Sequence, residues 1–153
     1  MKSLLASLVF LLSGLTGCSD SERVATIDHK EKATALFIQK IENNTSTEEL
    51  TKDVLDQDQI KEVLRKIEGL KVKKIRSEQM MDKMRSSNTY MFVFSESNET
   101  ELGKAAPFAF NVLEDGTFFF SYSEFNSPQE PRMSVERHEE LLDDLKQLLE
   151  IEF

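Results

Sequence analysis

The chain predicts an α+β domain, a mainly antiparallel sheet with helices at about 57–68 and 135–150 packed on one face. Three observations carry that expectation. An apolar stripe of helical period runs through Gln57 to Glu68, and a leucine-rich stripe of the same period runs through Val135 to Glu150. Between them, short aromatic segments alternate in polarity and break at turn residues, the pattern of half-buried strands.

Taken in order, Thr34 to Ile41 (TALFIQKI) is an apolar run compatible with a buried strand or with the end of a helix begun at Asp28. The strand reading is preferred, pairing it with Leu50 to Leu55 across a polar turn at Asn43-Asn44. The first helix places Ile60, Val63, Leu64 and Ile67 on one stripe. Asp56, with Gln59 three residues on, suits a capping box, and Gly69 suits the stop. Leu70 to Ile75 fits a short strand and Glu78 to Arg85 a short helix. Thr89 to Ser95, Phe108 to Leu113 and Phe118 to Ser123 follow as strands, the last two joined by Glu114-Asp115-Gly116-Thr117. With Asp115-Gly116 as a two-residue turn, Leu113 faces Phe118. Ala109, Asn111, Phe120 and Tyr122 then share that side, and Phe108, Phe110, Val112 and Phe119 the other. Ser134 suits the cap of the last helix, whose apolar face is Leu141, Leu142, Leu145, Leu148 and Leu149.

The first residues carry a different signal. Lys2 precedes an apolar run, Leu4 to Leu12, that is too short to cross a bilayer, for which ~20 residues are needed. Leu15-Thr16-Gly17-Cys18 follows, and this stretch resembles the lipobox of bacterial lipoproteins. The resemblance implies that the Cys18 thiol takes a diacylglyceryl group and that a signal peptidase cuts between Gly17 and Cys18. The expected organisation is a cleaved signal over 1–17, a lipidated cysteine with a flexible tether over 18–27, and a single domain over 28–153. The expected location is the bacterial cell membrane, lipid-anchored and facing away from the cytoplasm. Two acyl chains hold where one would exchange, because each buried CH₂ contributes ~0.8 kcal/mol. The order of elements is also similar, in pattern only, to small uncharacterised lipoproteins of Gram-positive bacteria, which implies no activity.

Composition narrows the chemistry. The net charge of −9 argues against nucleic acid as a partner, since phosphate neutralisation needs a basic surface. A single cysteine allows no intramolecular disulfide, and as the lipid acceptor it leaves no free thiol. No Gly-x-Ser-x-Gly or Ser-x-x-Lys motif is present, so nothing points to an enzyme, and no cofactor is expected. His29 lies near the tether and His138 among Glu136, Glu139 and Glu140, which reads as a solvated helix face. Met80, Met81 and Met84 are weak candidates for Cu(I), with core filler the commoner use of such spacing. Lys61 to Arg76 holds seven basic residues against Glu62 and Glu68. Within it, Lys71, Lys73 and Lys74 are candidate contacts to anionic headgroups or wall polymer. The commoner fate of such a stretch is neutralisation by the acidic C-terminal segment or simple solvation. Phe108, Phe110 and Phe119 are candidates for an apolar binding face, unless the N-terminal segment covers them. The functional expectation is a non-enzymatic module that binds an envelope protein or polymer. The alternative is a carrier or sensor of a small hydrophobic or metal ligand.

Overall fold

The computed structural model describes residues 21–97 and 106–153. The expected class holds: an open, eight-stranded antiparallel sheet carries three helices. In chain order the elements are β1 (Arg23–Val24), β2 (Ala35–Ile41), β3 (Thr51–Val54), α1 (Gln57–Ile67), β4 (Lys71–Lys74) and α2 (Ser77–Arg85). They continue with β5 (Thr89–Ser95), β6 (Phe108–Leu113), β7 (Phe118–Glu124), β8 (Ser127–Ser134) and α3 (Glu139–Leu148). Across the sheet the order is β1-β4-β8-β7-β6-β5-β2-β3.

The strand reading of 34–41 is the observed one. β2 pairs with β3 from Leu36↔Val54 to Gln39↔Thr51, and Asn43 and Asn44 turn the chain with positive φ at both. Asparagine tolerates that conformation because its short side chain is stable locally. At α1, Asp56 Oδ1 accepts the Asp58 and Gln59 N–H groups, each at 2.9 Å, a cap that contributes about 1 kcal/mol. Gln59 does not close a capping box; its Nε2 donates instead to the Leu148 carbonyl at 2.9 Å, tying α1 to the end of α3.

The β6–β7 hairpin departs from expectation by one residue. Leu113 N–H donates to Thr117 O and Gly116 N–H to Leu113 O, both at 2.9 Å, so the loop has three residues and closes on Gly116 at φ +77°. That is the loop type in which a glycine takes the left-handed position. Asp115 Oδ1 stabilises it by accepting the Thr117 N–H at 3.0 Å. The register becomes Val112↔Phe118 and Phe110↔Phe120. A one-residue slip exchanges the faces of a strand. Phe118 and Phe120 therefore join Phe108, Phe110 and Val112 on the side covered by α1 and α3, and Phe119 faces away beside Asn111.

Two further boundaries move. Residues 135–138 are not helical, and Ser134 lies in β8, where its Oγ accepts the Phe118 N–H at 3.1 Å. α3 begins only at Glu139, after His138 N–H has bonded to Gly116 O at 2.8 Å. β8 itself was not expected, because Pro128 and Pro131 interrupt it. Both prolines precede Arg132–Ser134, the part that pairs with β4, and they fall where the β7 register is irregular. Prolines are tolerated at such places. At the other end, part of the expected tether is structured. Arg23 and Val24 pair with Val72 and Lys71, Ala25 N–H donates to Leu70 O at 2.8 Å, and Ile27 is buried. The free edge of β4 supplies the partner groups, and the core takes Ile27.

The core lies between the sheet and the α1/α3 pair. Phe92 and Phe110 stack with ring centroids 4.6 Å apart and planes 7° from parallel, and Phe94, Phe118 and Phe120 ring Phe110 at 6.0–6.1 Å. Ile60, Val63, Leu64 and Ile67 of α1 close the layer with Leu142 and Leu145 of α3. Lys66 Nζ reaches Asp144 at 3.0 Å, so part of the basic stretch is neutralised by the C-terminal helix.

Candidate functional site

Arg132 is the least expected side chain in the sheet. The register places it opposite Phe120 on one side and Lys74 on the other. It therefore points to the same side as the aromatic core, beyond the cover of α1 and α3. The stretch Arg23–Ile27, at the β1 edge of the sheet, borders a cleft of about 100 Å³ here. Ile27, Val72, Phe108, Phe120 and Tyr122 form its apolar wall. Its polar wall includes Arg23, Gln129 and Arg132, and no carboxylate among the described residues lines it.

Arg132 is 7% exposed. Its Nε donates to Gln129 Oε1 at 3.4 Å, and Gln129 is held in turn by donating from Nε2 to Tyr122 O at 2.9 Å. Arg132 Nη1 is buried without a partner, and no ion pair to Arg132 occurs among the described residues. A guanidinium carries a fixed charge, and leaving one buried without an anion is costly. The other buried cation behaves differently. Lys40, on β2, pairs with Glu42 and with Glu114 at 3.6 Å, and lies over the Tyr90 ring. Burial works against its charge, but the bond to Glu42 and the neighbouring charges outweigh it and hold its pKa above the usual lysine value. Lys40 is a satisfied structural group, whereas Arg132 presents an unmet demand for an anion.

That contrast yields a prediction. Arg132→Met removes an unpaired buried charge and leaves an apolar stem of similar reach, so it should stabilise the protein by about 1–3 kcal/mol in urea denaturation. A loss of stability would identify Arg132 as a structural group already satisfied in solution.

The N-terminal border of the cleft is pinned by Glu68 at the end of α1. Its carboxylate accepts from Lys30 Nζ, and its Oε1 accepts the Ile27 N–H at 3.3 Å. The Lys30 bond, against some burial and with help from Ile27 N–H, holds the Glu68 pKa below its ordinary value of 4.5. A depressed carboxylate contributes stability that is present above the unfolded pKa and lost as pH falls through the folded one. Hydrogen exchange at Ala25 and Ile27, taken relative to the intrinsic amide rate at each pH, should therefore rise below about pH 4.5 in the wild type. Glu68→Gln should flatten that rise; an unchanged profile would contradict the role of Glu68.

The residues singled out from sequence do not converge on one site. Phe108, Phe110 and Phe119 are 1%, 0% and 0% exposed, so they form no surface patch. The one-residue register shift puts Phe119 on the opposite side from the other two, and only Phe108 touches the cleft. Lys71 and Lys73 alternate with Val72 and Lys74 along β4, so the three lysines split between two faces. Lys74 also lies 3.6 Å from Glu130. Met80 and Met84 are half-buried on α2, which rests against β8, and Met81 is 41% exposed. His138 packs edge-on to Phe118 ahead of α3, at 6.2 Å between centroids, and not on a solvated helix face. His29 sits apart, with Nδ1 3.5 Å from Glu31. Among the described residues no group of three or more His, Cys, Asp or Glu side chains is placed to hold a metal ion. Gly17 and Cys18 lie outside the described residues.

Sequence reading missed Arg132 because its segment carried no strand signal. Only the pairing of β8 with β7 reveals that an arginine stands in an aromatic row. Among the described residues, no helix is long and apolar enough to cross a membrane. Searches against protein-family models, curated proteins and solved structures find no match to this chain.

Proposed function

We propose that the protein is a lipid-anchored component of the bacterial cell envelope that works by binding an anion in the cleft at Arg132. The anchor is supported by Lys2, the apolar run 4–12 and the Leu15-Thr16-Gly17-Cys18 motif. The binding role is carried by one observation, the buried Arg132 guanidinium with Nη1 unpartnered in a cleft whose described wall offers no carboxylate. A binding role fits this wall better than catalysis, because its described residues include no histidine, cysteine or carboxylate to take a proton.

Mass spectrometry of the mature protein from its native membrane tests the anchor. The expected first residue is Cys18 carrying a diacylglyceryl group; an unmodified chain, or one beginning elsewhere, would overturn it. A second reading has its own observation. On the sheet side away from α1 and α3, Phe37, Val93 and Met91 lie in neighbouring register and are half-buried. Such a row suits contact with another envelope protein. Crosslinking in intact cells should then recover a partner through Phe37-proximal sites, and recovery of the monomer alone would count against it.

A further inference from the structure

The cleft sets a charge and an apolar wall side by side, and together they specify a ligand. We propose that it takes a small organic carboxylate, a monoanion with a compact aromatic or aliphatic body. This rests on the reading of the cleft as an anion site and adds the chemical class.

Charge comes first. Arg132 Nη1 has no partner, Arg23 stands in the same wall, and no described carboxylate competes, although the chain as a whole carries −9. Part of the polar wall is already engaged. Ser123 Oγ already donates to Ser127 O at 3.2 Å, Gln129 Nε2 to Tyr122 O, and Arg132 Nε to Gln129 Oε1. What remains is the rest of the Arg132 guanidinium, with the Thr26 and Tyr122 hydroxyls and the exposed Arg23 guanidinium at the mouth. A planar fork of this kind matches the two oxygens of a carboxylate. Inorganic phosphate has no apolar body to cover the side chains that make up the rest of the wall.

The rest of the wall fits the body of an acid. Phe108, Phe120 and Tyr122 offer ring surface, and Ile27 and Val72 offer aliphatic surface. The volume, about 100 Å³, is below the ~150 Å³ of an engineered cavity that accepts benzene. A short chain or part of one ring therefore fills it, with the remainder at the mouth. A long acyl chain or a polymer segment is too large to be enclosed.

Ligand-observed ¹⁹F NMR tests this on the mature lipidated protein in detergent micelles. 4-Fluorobenzoate is the probe, and 4-fluorobenzamide is its neutral match, which also controls for partition into micelles. Expected results are broadening of the benzoate and not of the benzamide, and binding at least about tenfold weaker in Arg132→Met, the loss of one charge-assisted contact. Arg132→Lys, which keeps the charge without the fork, should also weaken binding, and Lys71→Ala should leave it unchanged. Equal binding of benzamide would overturn the role of the carboxylate. Displacement by equimolar inorganic phosphate would overturn the ligand class and keep the anion reading. No binding of either probe, with Arg132→Met more stable, would likewise overturn only the ligand class. No binding with Arg132→Met less stable would remove both.

Discussion

Replacing Phe110 by alanine should destabilise the protein by about 3–5 kcal/mol, the range for removing a buried aromatic ring. Phe110 is fully buried, stacks on Phe92 at 4.6 Å and touches the rings of Phe94, Phe118 and Phe120. It is the centre of the aromatic layer, and helices α1 and α3 on one side and strands on both others limit how far the hole could collapse. Urea denaturation followed by circular dichroism measures the effect; a loss under about 1 kcal/mol would contradict the packing. The same measurement reads the hairpin register. In the observed register Phe110 and Phe120 share a face, and a double-mutant cycle should give a coupling of about 0.5–1.5 kcal/mol. A two-residue turn would put the two rings on opposite faces and bring that coupling to zero.

Gly116→Ala should cost about 3 kcal/mol or more, by two mechanisms that do not depend on each other. The residue adopts φ +77°, which costs a side-chain-bearing residue about 1–3 kcal/mol. An added Cβ would also lie 2.3 Å from Glu139 N and 2.5 Å from His138 C, both backbone atoms at the start of α3. Neither can rotate away, so α3 must shift and the 2.8 Å bond from His138 N–H to Gly116 O must stretch. Thermal unfolding should drop by roughly 10 °C, and hydrogen exchange should accelerate in the first turn of α3. Gly116→Asn separates the two causes, because asparagine eases the φ cost but keeps the Cβ. It should therefore fail to rescue the fold; full rescue would show that the close approach is absent.

These two residues also mark where the sequence was informative and where it was not. The stripe Ile60, Val63, Leu64, Ile67 had a single period and clear caps, so α1 was legible to within a residue. The alternation in Thr89 to Ser95 likewise identified β5. Asp115-Gly116 announced a hairpin, but both two- and three-residue loops use that pair, and the choice sets which rings face the core. Ser134 looked like a cap because it precedes a leucine stripe; its hydroxyl is in fact spent on Phe118 N–H across the strands. β8 was hidden by its two prolines, and Arg132 was hidden with it. A cleft made from four strands and the N-terminal stretch depends on long-range pairing, and no local pattern reports such a site. The Arg23-to-Ile27 stretch is the same case: too short to show a strand pattern, it pairs because β4 offers an edge.

The most direct test of the anion cleft is a crystal structure of the mature protein soaked with 4-bromobenzoate, using the anomalous signal of bromine to find it. The expected result is a carboxylate against the Arg132 guanidinium with the ring between Phe108, Phe120 and Tyr122. Bromine bound only elsewhere, with Arg132 engaged by a carboxylate of the chain itself, would contradict it.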